Sequence, residues 1–241
     1  DSSSSRGLGD VYKRQAEGHV VTNEHVIRNA ETIKITLKDG ETFEAKLVGK
    51  DPKTDLALLK VEADRPLPFV RFGKSSKVMV GDWVIALGSP FGLGHTATTG
   101  IVSATGRDIG AGPYDDFLQI DASINRGNSG GPTFNTLGEV VGVNTAIISP
   151  TGVSAGIGFA VPSDMAKSVI AQLQSNGSVS RGWLGVSIQK VTKDLAAGLG
   201  MTKPEGALIT SVTKGSPADV AGLMPGDVIV AVNRKPIIKM R

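Results

Sequence analysis

From Gly18 to Pro162 the chain is a succession of short apolar runs, each broken within a few residues by Gly, Asp or Pro. The runs read HVVTN, TIKITLK, TFEAKLVG, LALLKVE, DWVIALG, ATTGIVSATG, EVVGVNTAII and GIGFAVP. They are rich in Val, Ile and Thr, whose branched side chains pack well on a pleated surface, and turn-forming residues bound them, so each predicts a strand. Lys38-Asp39-Gly40 between two runs is a hairpin signal. Many strands at such close spacing predict an all-β barrel or sandwich.

A long helical period begins only at Ser163. Met165, Val169, Ile170 and Leu173 fall on one face, Ser163 can cap the start, and Asn176-Gly177 can end the helix. Polar residues 178–182 then read as a linker. A second unit of mixed α and β pattern fills 183–241: Trp183-Leu184-Gly185-Val186, a weak helix near 193–200, the strand ALITSV, then SPADVAGL with Pro217 at a first helical position after Ser216, and GDVIVAVN. Residues 1–15 (DSSSSRGLGDVYKRQ) carry neither a strand nor a helix period, nor a signal-peptide pattern, and are expected to be a foreign or disordered leader. The main β domain is therefore expected over 16–177.

Composition narrows the class. With 241 residues, 40% apolar and 20% charged, the chain is long enough for one large or two ordinary domains, and disorder, coiled coil and collagen are excluded. No apolar run reaches the roughly 18 to 20 residues of a spanning helix. The net charge of +3 sits at the ends: residues 1–15 carry +1 and 233–241 carry +4, leaving −2 on the body between. A nucleic-acid partner would want a basic face on that body, so none is expected. The absence of Cys excludes disulfides, thiolate zinc sites and Cys nucleophiles, and no metal or other cofactor is expected.

The sharpest candidate chemistry is Gly127-Asn128-Ser129-Gly130-Gly131. A serine between glycines can stand on a tight turn with its hydroxyl unshielded and neighbouring amides converging on one point. The pattern also fits the G-x-S-x-G elbow of α/β-hydrolases, but there the histidine follows the serine, and here His19, His25 and His95 all precede it. His19 lies within a predicted strand and His95 in a Gly-rich loop, whereas His25 in Thr22-Asn23-Glu24-His25-Val26-Ile27 stands at a strand end, where scaffolds present catalytic groups. A carboxylate to orient the imidazole is offered by Asp55, just before the apolar run Leu56-Ala57-Leu58-Leu59, with Asp51 and Asp121 as rivals.

TNEHVI, TDLALL and GNSGGP, in that order, resemble the trypsin-like serine proteases of the HtrA/Deg family. The resemblance runs from about Gly18 to about Ile237 and includes GSPFGLGHTATTGIVSATGR, QIDASINRGNSGGP and GIGFAVPSDM; RGWLGV through GDVIVAVN resembles the PDZ domain that follows the protease in that family. It implies a double β-barrel of the chymotrypsin type followed by a PDZ domain. It also implies His25 as general base, Asp55 as its orienter and Ser129 as nucleophile. The oxyanion hole would come from Gly127, Asn128 and Ser129, with the amides of Gly127 and Ser129 donating and Asn128 shaping the loop. Ile124 and Ile147 would line the pocket for the residue before the scissile bond, and loops 106–116 and 148–156 would switch the site between ordered and disordered forms. Gly182, Trp183, Leu184, Gly185 and Val186 would form the loop that captures a peptide carboxylate.

The expected activity is ATP-independent endoproteolysis of unfolded or misfolded envelope proteins in the periplasm, with peptide C-termini bound at the PDZ unit and trimers or multiples of trimers as the assembly. A non-catalytic chaperone or peptide-binding module is the alternative. Against the family pattern, about two strands before HVVTN and the last helix and strands of the PDZ domain are missing, so the first barrel is expected to be incomplete and the chain to be an internal fragment.

Overall fold

The computed structural model describes residues 18–89, 95–112, 114–125, 127–147 and 154–237. The expected leader and residues 148–153 of the second switching loop lie outside the described residues. The chain divides between Val179 and Ser180 into two units.

The first unit opens with β1 (His19–Thr22), a helical turn α1 (Glu24–Ile27), β2 (Ile33–Thr36), β3 (Thr42–Asp51) and β4 (Leu56–Val61). These four strands form an antiparallel sheet in the order β1-β4-β3-β2, with Val21 opposite Leu58. Pleating sends alternate residues to opposite faces. Val20, Ala57, Leu59 and Val61 enter one core with Ile27, Ile35 and Ala45, while Val21, Leu56 and Leu58 enter another. Burial on both faces explains why Leu56-Ala57-Leu58-Leu59 reads as an unbroken apolar run rather than an alternating one.

The second half comprises β5 (Trp83–Gly88), β6 (Thr96–Arg107), β7 (Phe117–Ile120), β8 (Pro132–Phe134), β9 (Val140–Ile147) and β10 (Gly158–Pro162). They close into a barrel in the order β10-β7-β6-β5-β8-β9, which removes all sheet edges. Val84, Ala86, Val102, Ile120, Ala122, Ile124 and Val141 fill it. Val140, Val143 and Val161, on the outside of that barrel, join the face of β1 and β4 that carries Val21 and Leu58, and α2 (Ser163–Asn176) adds Ala166, Val169, Ile170 and Leu173 to the same cluster. This shared cluster fixes the sheet and the barrel against each other. The fold is the chymotrypsin-like double barrel, its first half, among the described residues, an open four-stranded sheet.

One expected detail is corrected. Ser163 is the first helical residue rather than the cap; Pro162 holds the cap position without a side-chain bond. The Ser163 hydroxyl is instead buried between elements, accepting from the Ser75 amide at 3.0 Å and donating to the Gly73 carbonyl at 2.9 Å. The predicted stop is as read: Gly177 takes φ 68° and its amide closes on the Leu173 carbonyl at 2.9 Å.

The second unit is a three-stranded sheet of β11 (Val186–Lys190), β12 (Ala207–Val212) and β13 (Val228–Ile229) in the order β11-β12-β13, with α3 (Lys193–Gly198) and α4 (Pro217–Val220). Ser216 caps α4 by accepting from the Asp219 amide at 3.2 Å, with Pro217 behind it. No helix among the described residues is long and apolar enough to cross a membrane.

Candidate active site

The site is built where β1 ends. Asn23, at the cap of α1, turns its Nδ2 away from the helix and donates it to the Asp55 carbonyl at 2.9 Å. The same carbonyl accepts the Glu24 amide at 3.1 Å. Asp55 closes the turn between β3 and β4 at φ 55°, a left-handed conformation that aspartate tolerates better than most residues. That backbone aims its carboxylate back at α1. Oδ1 accepts the His25 amide at 2.9 Å, and Oδ2 lies 2.7 Å from His25 Nδ1. Hydrogen-bonded at Nδ1, the imidazole presents its other nitrogen as an acceptor.

A third donor comes from β9, where Thr145 Oγ1 gives its proton to Asp55 Oδ2 at 2.6 Å. Burial alone would raise the Asp55 carboxyl, but the bonds from His25 and Thr145 outweigh it and hold the group below the ordinary carboxylate range. The acid is therefore ionised whenever the histidine can act as a base.

Ser129 lies in the turn before β8. Gly127 takes φ 103° and Gly130 φ 82°, and a side chain at Gly130 would run into Thr22 and Asn23. The serine loop is thus packed directly on the two residues that lead into the His25 turn. Within the loop, the amides of Asn128, Gly130 and Gly131 are spent on the carbonyls of Asn125, Asn144 and Asn128 at 3.0, 2.8 and 2.9 Å. Those of Gly127 and Ser129 donate to nothing among the described residues. Two such amides, the serine's own and that of the residue two before it, can serve as the donor pair an oxyanion needs. The Ser129 hydroxyl itself donates to the Thr145 carbonyl at 3.4 Å and, among the described residues, makes no bond to His25. Thr145 therefore touches both halves of the site, the acid through its side chain and the serine through its backbone.

The rivals are employed elsewhere. Asp121 accepts the Ile101 amide at 2.6 Å, and Asp51 accepts the Thr54 hydroxyl across its own turn. His19 starts β1 opposite Lys60, and His95 is exposed just before β6. Ile124 is buried in the barrel core and Ile147 packs against the same cluster. Asn128 is buried as well, its Nδ2 donating to the Ser123 carbonyl at 3.2 Å. In the second unit Gly182 and Trp183 precede Leu184, whose carbonyl accepts the Ala218 amide at 2.9 Å; the Gly185 carbonyl accepts the Thr213 amide at 2.8 Å, and Val186 pairs with Val212. Trp183 is exposed, and among the described residues β11 is paired on one side only.

Sequence reasoning missed Thr145 and Asn23. Thr145 sits in a strand where a threonine reads as a packed β-branched residue, and only the pairing of β9 within the barrel carries it to Asp55.

Residues 7–143 match the family model described as a trypsin-like peptidase domain, and 172–241 match the PDZ domain. The chain is 57% identical over 234 residues to a probable periplasmic serine endoprotease, DegP-like, of Brucella suis biovar 1, covering 97% of this chain and 45% of that protein. It is 54% identical over 232 residues to a protein of the same description from Rhizobium meliloti, covering 96% and 46%. It thus spans just under half the length of these curated relatives. The solved structure of the HtrA-type protease AlgW with tripeptide matches with a TM-score of 0.86 at 44% identity, covering 95% of this chain and 76% of that one. With the peptidase model matching more than half the chain and this likeness spanning nearly all of it, the chain belongs to the HtrA-type, trypsin-like serine proteases that carry a PDZ domain.

Proposed function

We propose that the chain carries the catalytic part of an ATP-independent serine endopeptidase acting on unfolded or misfolded proteins of the periplasm. In this reading residues 16–177 form the protease, 178–182 a linker, and 183–241 the PDZ unit, which takes peptide C-termini by adding them as a strand beside β11. The observation that carries it is the His25–Asp55 pair, joined at 2.7 Å, with the serine loop packed on the residues leading into the histidine's turn and its Gly127 and Ser129 amides donating to nothing among the described residues.

His25 takes the proton of the Ser129 hydroxyl as the oxygen attacks the scissile carbonyl, and Asp55 stabilises the imidazolium that results. The Gly127 and Ser129 amides hold the developing oxyanion. His25 then protonates the leaving amine, and water, activated in the same way, hydrolyses the acyl enzyme to free the acyl fragment and restore Ser129. An apolar wall of Ile124 and Ile147 favours Val, Ile, Leu or Ala before the cut, because a Lys or Arg there loses hydration with no counter-charge gained. Mapped products cut mainly after Lys or Arg would contradict that wall. The family's trimeric assembly and periplasmic site are part of the same proposal.

A second reading, a holdase or peptide-binding module, draws on the resting serine, which is bonded to the Thr145 carbonyl and not to the base. Labelling with a fluorophosphonate separates the two. The protease reading expects stoichiometric labelling, abolished in Ser129→Ala and strongly slowed in His25→Ala. Equal labelling of the chain and of Ser129→Ala would sink it.

A further inference from the structure

Glu24 stands next to His25 in α1 and is 2% exposed, yet acyl transfer makes no use of it. A buried carboxylate is costly unless paired. This one is paired twice. Oε2 accepts Arg28 Nε at 2.8 Å and Nη2 at 2.6 Å, and Oε1 accepts Lys50 Nζ at 3.1 Å. Arg28 comes from the end of the same turn, while Lys50 comes from β3, one residue before Asp51. Both cations are turned largely to solvent, with side chains 57% and 41% exposed.

Two consequences follow from the position. A helix of four residues cannot hold itself in water, so the seat of α1 depends on tertiary ties. The Glu24 side chain ties it to β3 while the Glu24 amide ties it to Asp55. The second consequence is electrostatic. The charged groups on the elements that carry the His25–Asp55 pair are, among the described residues, Glu24 and Arg28 on α1, Lys50 and Asp51 on β3, and Lys53 on the turn leading to Asp55. Arg28 is held above its ordinary value first by the bond to Glu24 and, at longer range, by the Asp55 carboxylate, so it lies within the field of the pair. The Glu24 carboxyl is held low by the Arg28 bond against the cost of burial, with Lys50 adding to the effect, and it stays ionised across the range of an activity assay.

We propose that Glu24 is a positioning residue for His25: one buried carboxylate gathers Arg28 and Lys50, seats the turn that carries the histidine, and cancels one of the two positive charges gathered at that turn. This rests on His25 being the base. Without the Glu24 charge the ring takes up a proton less readily, so the acid limb of the rate profile moves to lower pH. Removing Lys50 has the opposite sign.

The test is the rate of fluorophosphonate labelling of Ser129 as a function of pH, in the whole chain. E24Q is expected to move the acid limb down by about half a pH unit and K50M to move it up by about as much. The double variant E24Q/K50M, with the wild-type charge balance restored, is expected to return the limb to its original place, which a purely structural role would not produce. If E24Q fails to fold, K50M, which removes an exposed cation, still tests the sign. Limbs of E24Q and K50M that coincide with wild type, or move the same way, overturn this inference and leave the protease reading standing. Absence of wild-type labelling at every pH overturns both.

Discussion

At the scale of single residues, Asp55 concentrates the most constraint. Its carbonyl accepts from Asn23 and Glu24, and its carboxylate from the amide and ring of His25 and from Thr145. Asn shares aspartate's tolerance of left-handed backbone, so Asp55→Asn is expected to keep the fold while offering the imidazole the wrong hydrogen-bond pattern. Labelling of Ser129 should drop by roughly 10³ to 10⁴ with thermal stability nearly unchanged; a rate within tenfold of wild type would remove Asp55 from the mechanism. Thr145→Val keeps the backbone carbonyl that accepts Ser129 and takes away the hydroxyl, leaving a partly buried carboxylate one donor short. It is expected to cost about 1 to 3 kcal/mol in denaturant unfolding. The ordered motifs offer His25, Asp55 and Ser129 as candidates from the sequence, and Asp55 at φ 55° and Ser129 between Gly127 and Gly130 also stand on unusual local backbone. Thr145 has no such mark.

At the scale of elements, the apolar runs read as strands and the 163–176 period read as a helix, because period 2 and period 3.6 are imposed by backbone geometry alone. The expected Ser163 cap does not form because a buried serine can meet its hydrogen-bonding needs across elements, here with Gly73 and Ser75. The start of α2 is secured instead by Asp164, whose Oδ2 accepts the Ser76 amide at 2.9 Å and whose Oδ1 lies 2.7 Å from Lys167. Partial burial works against its charge, but the bonds from Lys167 and Ser76 prevail and lower its carboxyl to about 2. A folded-state value below the unfolded one, about 3.9, means stability that is complete above the unfolded value and lost as pH falls through the folded one. Asp164→Asn should therefore melt below wild type at pH 7, with the gap shrinking from about pH 4 downward and closing below about pH 2. A gap that persists unchanged at pH 2 would show that charge is not its source.

At the scale of the whole chain, the two units differ in how much core they own. Among the described residues the first has three clusters of ten, eight and seven buried residues, whereas the second has one built on Val191, Ala196 and Leu208, with Leu195, Met201 and Val228 partly buried against it. Apolar burial is the main favourable term in folding, so the second unit should unfold first. Calorimetry is expected to show a small transition below the main one, and hydrogen exchange to show faster amides in β11 and β12 than in β7, β9 and β10. A single transition with uniform protection would contradict this.

The order of the motifs, the strand pattern and the tight serine turn between glycines were all determined by the sequence itself, because they are local: spacing, pleat and turn chemistry act over a few residues. What decides the site is not local. Asp55 reaches His25 from just before β4, Thr145 reaches both Asp55 and Ser129 from β9, and Glu24 finds Lys50 on a strand 26 residues away. Those contacts depend on strand register and on the cluster of Val21, Leu58, Val143 and Leu173 that joins sheet, barrel and helix. No pattern along the chain encodes which polar residue meets which, since many pairings satisfy the same alternation, and only the closed packing of the core selects one.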